Sequence, residues 1–230
     1  MQLPTIKEMI QAGAHFGHKK DKTNPKAAKK YGFGIKDGIY IIDLDKTQVM
    51  LKQAMDYIAQ CIKKNQTILF IGTKRQAQDS IKKVAMENDV PYINHRWLGG
   101  MITNFETVKL GIEKLKKMEA LKETDEYKDM TKQERVKFNK KIEKLQLNLS
   151  GIKSLNKIPD VLFIIDIDKE KVAVKEAKNN NIPVVGIADI NTDPDLVDYI
   201  IPVNDDSRPT IEMIMDIVSQ TIKNAKQGKK

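Results

Sequence analysis

Apolar and polar positions alternate with different periods along the chain, and the changes of period mark its elements. Thr5-Ile6-Lys7-Glu8 has capping-box spacing and opens a short helix that Gly13 can stop. Residues 14–38 keep no sustained period and read as irregular. Ile39–Leu44 reads as a strand, and Thr47–Lys64 as a helix with Val49, Met50, Ala54, Tyr57, Ile58, Cys61 and Ile62 on one broad face. Thr67–Ile71, an apolar run ended by Gly72, predicts a buried strand. A helix over Arg75–Asn88 and a brief strand over Val90–Ile93 follow.

The middle obeys another rule. Thr103-Asn104-Phe105-Glu106 and Thr131-Lys132-Gln133-Glu134 both have capping-box spacing, and each precedes a long charged helical pattern. Phe138, Ile142, Leu145, Leu149 and Ile152 step by four and three, which is a coiled-coil seam; Phe105, Val108, Ile112 and Leu115 do the same. With the polar stretch Thr124–Met130 between them, they predict a protruding antiparallel hairpin. Strands at Val161–Ile165, Pro183–Ala188 and Tyr199–Val203 then alternate with helices at Lys169–Asn179 and from Pro209 to about Lys226. Continuous apolar strands between helices imply a parallel sheet covered on both faces. The expected organisation is a basic N-terminal helix and arm (1–38), an α/β domain (39–102 and 154–226) and an inserted hairpin (103–153), with a frayed basic tail at Lys226–Lys230.

Charge adds a direction to this layout. The 230 residues carry a net +9, with only four Arg (Arg75, Arg96, Arg135, Arg208) among 40 basic residues. Residues 1–36 hold eight Lys against Glu8 and Asp21, the hairpin segment is also basic, and residues 154–208 are acidic. The basic end suits a polyanion; the acidic stretch suits solvent or a basic protein surface. Met1–Thr5 shows no targeting pattern, and runs such as Val161–Ile165 are far too short to cross a bilayer. A lone Cys61 excludes an internal disulfide and fits a reducing compartment, so a soluble cytoplasmic protein is expected.

The candidate chemistry is sparse. Gly32-Phe33-Gly34 precedes a strand instead of following one, so it does not fit a dinucleotide loop. Ile71-Gly72-Thr73-Lys74-Arg75 leaves a strand and opens a helix without Walker spacing; it suits an anion such as an RNA phosphate, or is an ordinary turn with two exposed cations. His15 and His18 lack further metal ligands nearby and suit phosphate or sugar contact, or packing. Asp189–Asp195 begins like a calcium loop and fails at Pro194 and Ile200. Asp166, Asp189 and Asp205 at strand ends are weak candidates for a structural divalent cation, against loop Asp making turn bonds. Trp97 beside Arg96 suits stacking on an unstacked base, or packing where the hairpin leaves the domain. No catalytic triad, metalloprotease helix or activated Cys is present. Two rivals from other classes are a flavodoxin-like flavin or nucleotide enzyme and a receiver-like domain phosphorylated on Asp166.

Several blocks together resemble one family. Gly13-Ala14-His15-Phe16-Gly17-His18, Asn24-Pro25-Lys26, Gly38–Leu44 with Lys46-Thr47, Gly72–Gln78, Arg96-Trp97-Leu98-Gly99-Gly100-Met101-Ile102-Thr103-Asn104-Phe105, Pro159–Asp166, Ile182–Ile187, Asp193-Pro194-Asp195 and Pro202–Asp206 occur in order. They are similar to the family of the second protein of the bacterial small ribosomal subunit. The resemblance implies a flavodoxin-like three-layer α/β/α fold with a parallel sheet and an inserted antiparallel coiled-coil hairpin, and a structural role without enzymatic activity. It implies binding to small-subunit ribosomal RNA near the head–body junction and to neighbouring ribosomal proteins, including the large first protein. DNA and membranes are not expected partners, and a plastid ribosome is an alternative location. On this reading the RNA contacts are His15, His18, Lys19, Lys20, Lys22, Lys26, Lys74, Arg75, Arg96, Trp97 and Asn104. One departure matters: Lys19-Lys20-Asp21-Lys22-Thr23 stands where the family usually carries an Arg and a Trp, which removes stacking there and leaves point-charge contacts.

Overall fold

The computed structural model describes residues 3–228; Met1, Gln2 and the last two lysines of the expected tail lie outside them. The capping box at Thr5 forms in full: its hydroxyl accepts from Glu8 N–H, and the Glu8 carboxylate accepts from Thr5 N–H at 2.7 Å, starting α1 (Ile6–Gln11).

Residues 14–38 are ordered, which corrects the irregular reading. They contain β1 (Phe16–Lys19), a 3₁₀ turn at Lys20–Lys22, α2 (Pro25–Tyr31) and β2 (Gly32–Lys36). With β3 (Ile39–Ile42) they make a three-stranded antiparallel sheet in the order β1-β3-β2. Asp37 (φ 51°) and Gly38 (φ 77°) form the two-residue turn between β2 and β3, and Lys36 pairs with Ile39 across it. Both central residues take positive φ, as the turn matching strand twist requires. Asn24 caps α2, accepting from Lys26 N–H at 2.9 Å, with Pro25 at the first helical position.

α3 (Leu44–Lys63) starts three residues earlier than its periodicity suggested, because Asp43 caps it through Asp45 and Lys46 N–H. Its buried face includes Leu51, Ala54, Met55, Ile58 and Cys61; Val49, expected on that face, is exposed. β4 (Ile68–Ile71), α4 (Gln78–Asn88) and β5 (Tyr92–Ile93) follow. The chain then leaves the sheet through α5 (Phe105–Leu121), the short α6 (Asp125–Asp129) and α7 (Lys132–Leu149), and returns in β6 (Val161–Ile165). α8 (Lys171–Asn179), β7 (Val184–Ala188), β8 (Tyr199–Pro202) and α9 (Arg208–Gln227) complete it.

β4 to β8 form one parallel sheet in the order β5-β4-β6-β7-β8. Numbered within the sheet this is 2-1-3-4-5, the flavodoxin-like arrangement. Successive residues point to opposite faces. Phe70, Phe163 and Val185 pack with α3, α4 and α9, whereas Leu69, Leu162 and Val184 pack with α8 and the root of the hairpin. These are the two outer layers around a buried sheet.

The hairpin closes on Ile112, Leu115, Ile142 and Leu149, all buried, with Val108, Phe138 and Leu145 partly so. Thr131 forms its capping box with Glu134. The one expected at Thr103 does not form: Asn104 is the N-cap, without a side-chain bond, because Thr103 N–H and hydroxyl bind Glu176 instead.

Candidate nucleic-acid interface

The small antiparallel sheet is seated across the carboxyl ends of β7 and β8. Asn24 N–H donates to Ile190 O at 2.9 Å, Asn204 N–H to Ala14 O at 3.0 Å, and Ser207 hydroxyl to Ala12 O at 2.7 Å. Gly17 permits the approach: a Cβ there would lie 2.9 Å from both Tyr40 O and the Ile190 side chain. In open α/β sheets this end of the strands is where small ligands bind. Here the chain's own N-terminal region covers part of it.

Beneath that cover lies a cluster of opposite charges. Lys74 Nζ is 2.6 Å from Asp205 Oδ1, 2.6 Å from Asp206 Oδ1 and 3.0 Å from Asp166 Oδ2, and its side chain is only 12% exposed. Burial opposes the ammonium charge, but the three carboxylates outweigh it and raise the Lys74 pKa. Burial pushes the Asp205 carboxyl up to about 7, with Asp166 adding to the rise and Lys74 opposing it. His18 Nδ1 lies 2.9 Å from Asp189 Oδ2, and that carboxylate raises the imidazole's pKa. The contact is close but lacks hydrogen-bonding geometry, so its strength depends on the imidazolium charge. Thr73 N–H and hydroxyl both donate to Glu170 Oε1.

The sequence candidates therefore separate. Lys74 does not present a charge to an outside phosphate, because three carboxylates already neutralise it. It also stands between Asp166 and Asp205, where a cation was considered. Among the described residues no group of three or more His, Cys, Asp or Glu is arranged to hold a metal ion. Lys26 is exposed but held by Asp195 Oδ2 at 2.6 Å and Asp193 Oδ2 at 3.1 Å. His15 is half-buried against Phe16, and burial followed by the Lys36 charge lowers its pKa.

Trp97 is a packing residue: it is 7% exposed, and its Nε1 donates to Glu176 Oε1 at 3.1 Å. A face so covered offers no stacking platform. Glu176, which the sequence reading passed over, organises the Arg96–Asn104 segment. Its carboxylate also accepts from Gly100, Ile102 and Thr103 N–H at 2.8, 3.0 and 3.2 Å. Burial pushes its pKa up, but these donors outweigh burial and hold it below the ordinary glutamate value. The signal was present, since Glu176 falls three residues after Ala173 on the inward face of α8.

Lys19, Lys20, Lys22, Arg75 and Arg96 are exposed and make no ion pair among the described residues. Asn104 is exposed, its Oδ1 accepting from Thr107 hydroxyl at 2.9 Å. Lys29 and Lys30 on α2 and Lys36 on β2 are likewise exposed without a carboxylate partner. These three were missed because the region read as irregular; Asp37-Gly38 was the hairpin signal that would have placed them.

Comparison with known proteins adds the last observation. Residues 9–225 match the family model described as ribosomal protein S2. A curated relative from Geotalea uraniireducens (strain Rf4), named small ribosomal subunit protein uS2, is 46% identical over 218 residues, covering 95% of this chain and 85% of the relative. Another of the same name from Koribacter versatilis (strain Ellin345) is 44% identical over 223 residues, covering 97% of this chain and 74% of the relative. A match over nearly the whole chain, joined to a flavodoxin-like sheet with a hairpin between β5 and β6, places the protein in the ribosomal protein S2 family.

Proposed function

We propose that the protein is a structural constituent of the small ribosomal subunit, in the cytoplasm, which binds ribosomal RNA and neighbouring ribosomal proteins and catalyses no reaction. One observation carries the RNA-binding part: residues 19–36 present six exposed lysines, Lys19, Lys20, Lys22, Lys29, Lys30 and Lys36, with no carboxylate partner among the described residues. Lysines without carboxylate partners on ordered strands, a 3₁₀ turn and a helix are available for phosphates and gain from counterion release. Arg75, Arg96 and Asn104 add exposed polar groups on the larger domain, and the basic hairpin can brace against RNA or protein. The acidic stretch 154–208 suits a protein neighbour such as the large first protein of the subunit.

A structural role also agrees with the strand ends, where the crevice holds Lys74 and its carboxylates under the N-terminal sheet. Cys61 is buried, and burial pushes its thiol pKa up, the opposite of an activated nucleophile. No helix among the described residues is long and apolar enough to cross a membrane.

The test is sedimentation of a native lysate at rising salt, probing for this chain. It should travel with the small subunit and leave as salt increases. Remaining at the top of the gradient at low salt would contradict the proposal, and a flavin spectrum in the purified protein would favour the enzyme reading.

A further inference from the structure

Two legs join the coiled-coil hairpin to the α/β domain, and they are held by different means. The returning leg is fixed by packing. Gly151 sits so close to β5 that a Cβ there would collide with the Tyr92 carbonyl oxygen, and Ile152 and Leu155 are buried. Further on, the Asp160 carboxylate accepts from Thr67 N–H at 2.7 Å and Asp160 N–H donates to Thr67 O at 2.9 Å. The outgoing leg, residues 97–103, is held by one carboxylate. Among the described residues, every hydrogen bond from this leg to the rest of the α/β domain ends on Glu176. Oε1 accepts from Trp97 Nε1 and Gly100 N–H, and Oε2 accepts from Ile102 N–H, Thr103 N–H and, at 3.3 Å, the Thr103 hydroxyl.

These donors lie on both sides of Gly99-Gly100. Gly100 stands at φ 90°, and a Cβ on Gly99 would meet nothing within 4 Å, so the chain between the donors is free to bend. Trp97, Met101 and Ile102 are buried, but apolar burial is non-directional and seats the leg without aiming it. The aim is left to the carboxylate. Glu176 lies on α8, and the same helix reaches the N-terminal region. Lys178 Nζ donates to Asp195 O at 2.9 Å, and the Asp195 carboxylate holds Lys26 of α2 at 2.6 Å. α2 also carries the exposed Lys29 and Lys30. α8 is thus a common reference for two basic parts of the molecule. When two parts engage one surface, a fixed angle between them makes the second contact intramolecular and removes the cost of ordering it.

We propose that Glu176 is a positioning residue: its carboxylate clasps the outgoing leg and fixes the angle of the hairpin to the N-terminal region, so that both meet the small subunit at once. The inference rests on the RNA-binding reading and deepens it, from which residues touch phosphate to what holds the contacting parts in register. Glu176 is buried and acts through the hairpin.

The experiment measures a distance and an affinity on the full chain. Spin labels are placed at Met86→Cys on α4 and Val136→Cys on α7, both exposed positions; Cys61 is buried and stays unlabelled in the folded protein. Double electron–electron resonance should give one narrow distance distribution when Glu176 is present. Glu176→Gln keeps the side chain's shape but turns an NH2 group towards two of the donors, and it should broaden the distribution. Its affinity for small subunits stripped of this protein should fall about tenfold or more, with the slope against salt unchanged because the same lysines reach phosphate once bound. Trp97→Phe combined with Thr103→Val removes two donors and leaves Glu176 in place; it should broaden the distribution less, and it carries the test if Glu176→Gln does not fold. A role confined to stability would lower the melting temperature and nothing else. A narrow distribution in folded Glu176→Gln, or in the double variant if only that one folds, would therefore overturn the clasp. A broadened distribution with undiminished affinity would overturn the positioning role. Failure of the wild-type chain to bind stripped subunits would overturn the RNA-binding reading, while the distance distributions would still decide the clasp.

Discussion

Two regions of this molecule hold lysines next to one another in space and use them in opposite ways. At the carboxyl ends of the parallel strands, Lys74, little exposed, is held by Asp166, Asp205 and Asp206. In the N-terminal region that covers those ends, Lys19 and Lys36 on strands, Lys20 and Lys22 in the 3₁₀ turn, and Lys29 and Lys30 on α2 stand exposed without carboxylate partners among the described residues. The first arrangement stabilises the junction and leaves little charge for an outside partner. The second contributes little to folding, and its charge is available to phosphate. Net charge alone would have credited both; the position of the acids decides which lysines can bind.

The largest expected effect lies on the structural side. Glu176→Ala removes the acceptor for Trp97 Nε1 and for three backbone N–H groups, two of the donors being buried. Orphaned buried donors of this kind cost about 3–5 kcal/mol in total, to be read by chemical denaturation. A loss below 1 kcal/mol would mean that solvent or another acceptor replaces the carboxylate. Next is Lys74→Met, which leaves three carboxylates facing one another. It should cost about 3 kcal/mol at neutral pH and recover part of that on mild acidification, while the salt dependence of RNA binding stays as in wild type. A flattened salt dependence would show that Lys74 reaches phosphate after all.

A smaller effect concerns pH. The His18 pKa is raised in the fold. Its contribution is therefore full below the unfolded value near 6.5 and is lost as pH rises through the folded value. Asp205, raised to about 7, acts in the same direction, because the native state holds its proton at pH values where the unfolded chain has released it. Stability should decline from pH 6 to pH 8, and less steeply in His18→Asn; parallel curves for the two proteins would exclude His18. The depressed pKa of Glu176 works oppositely: its contribution is present above the unfolded value near 4.5 and is lost as pH falls through the folded one. The smallest effect on folding is expected for Lys19→Gln, Lys20→Gln and Lys22→Gln combined, within about 0.5 kcal/mol of wild type. A larger destabilisation would place these lysines in the fold's own interactions.

Much of the fold was legible because the parallel strands are continuous apolar runs and the hairpin seam has a strict spacing. The N-terminal sheet was not, because its strands are short and Gly-rich. β2 holds two glycines in five residues, and β1 spans only four. At the candidate site, residue type identified the basic and aromatic candidates but not their state. Nothing local to Lys74 announces that Asp166, Asp205 and Asp206 converge on it from elements more than 90 residues away. Trp97 and Glu176 are separated by a comparable stretch. Pairing across such distances belongs to tertiary structure, and it decides whether a cation or a ring faces the solvent. Phe33 shows the reverse, since an aromatic between two glycines reads as a loop until strand pairing places it on a sheet.

The most direct test of the contrast is the dependence of ribosomal RNA affinity on salt for two variants, Lys74→Met and the combined Lys19→Gln, Lys20→Gln and Lys22→Gln. The account predicts that the triple variant loses about one unit of slope in log affinity against log salt for each phosphate contact removed and melts like the wild type, whereas Lys74→Met keeps the wild-type slope and melts earlier. The opposite pattern, with slope lost in Lys74→Met and retained in the triple variant, would contradict the assignment of phosphate binding to the N-terminal sheet.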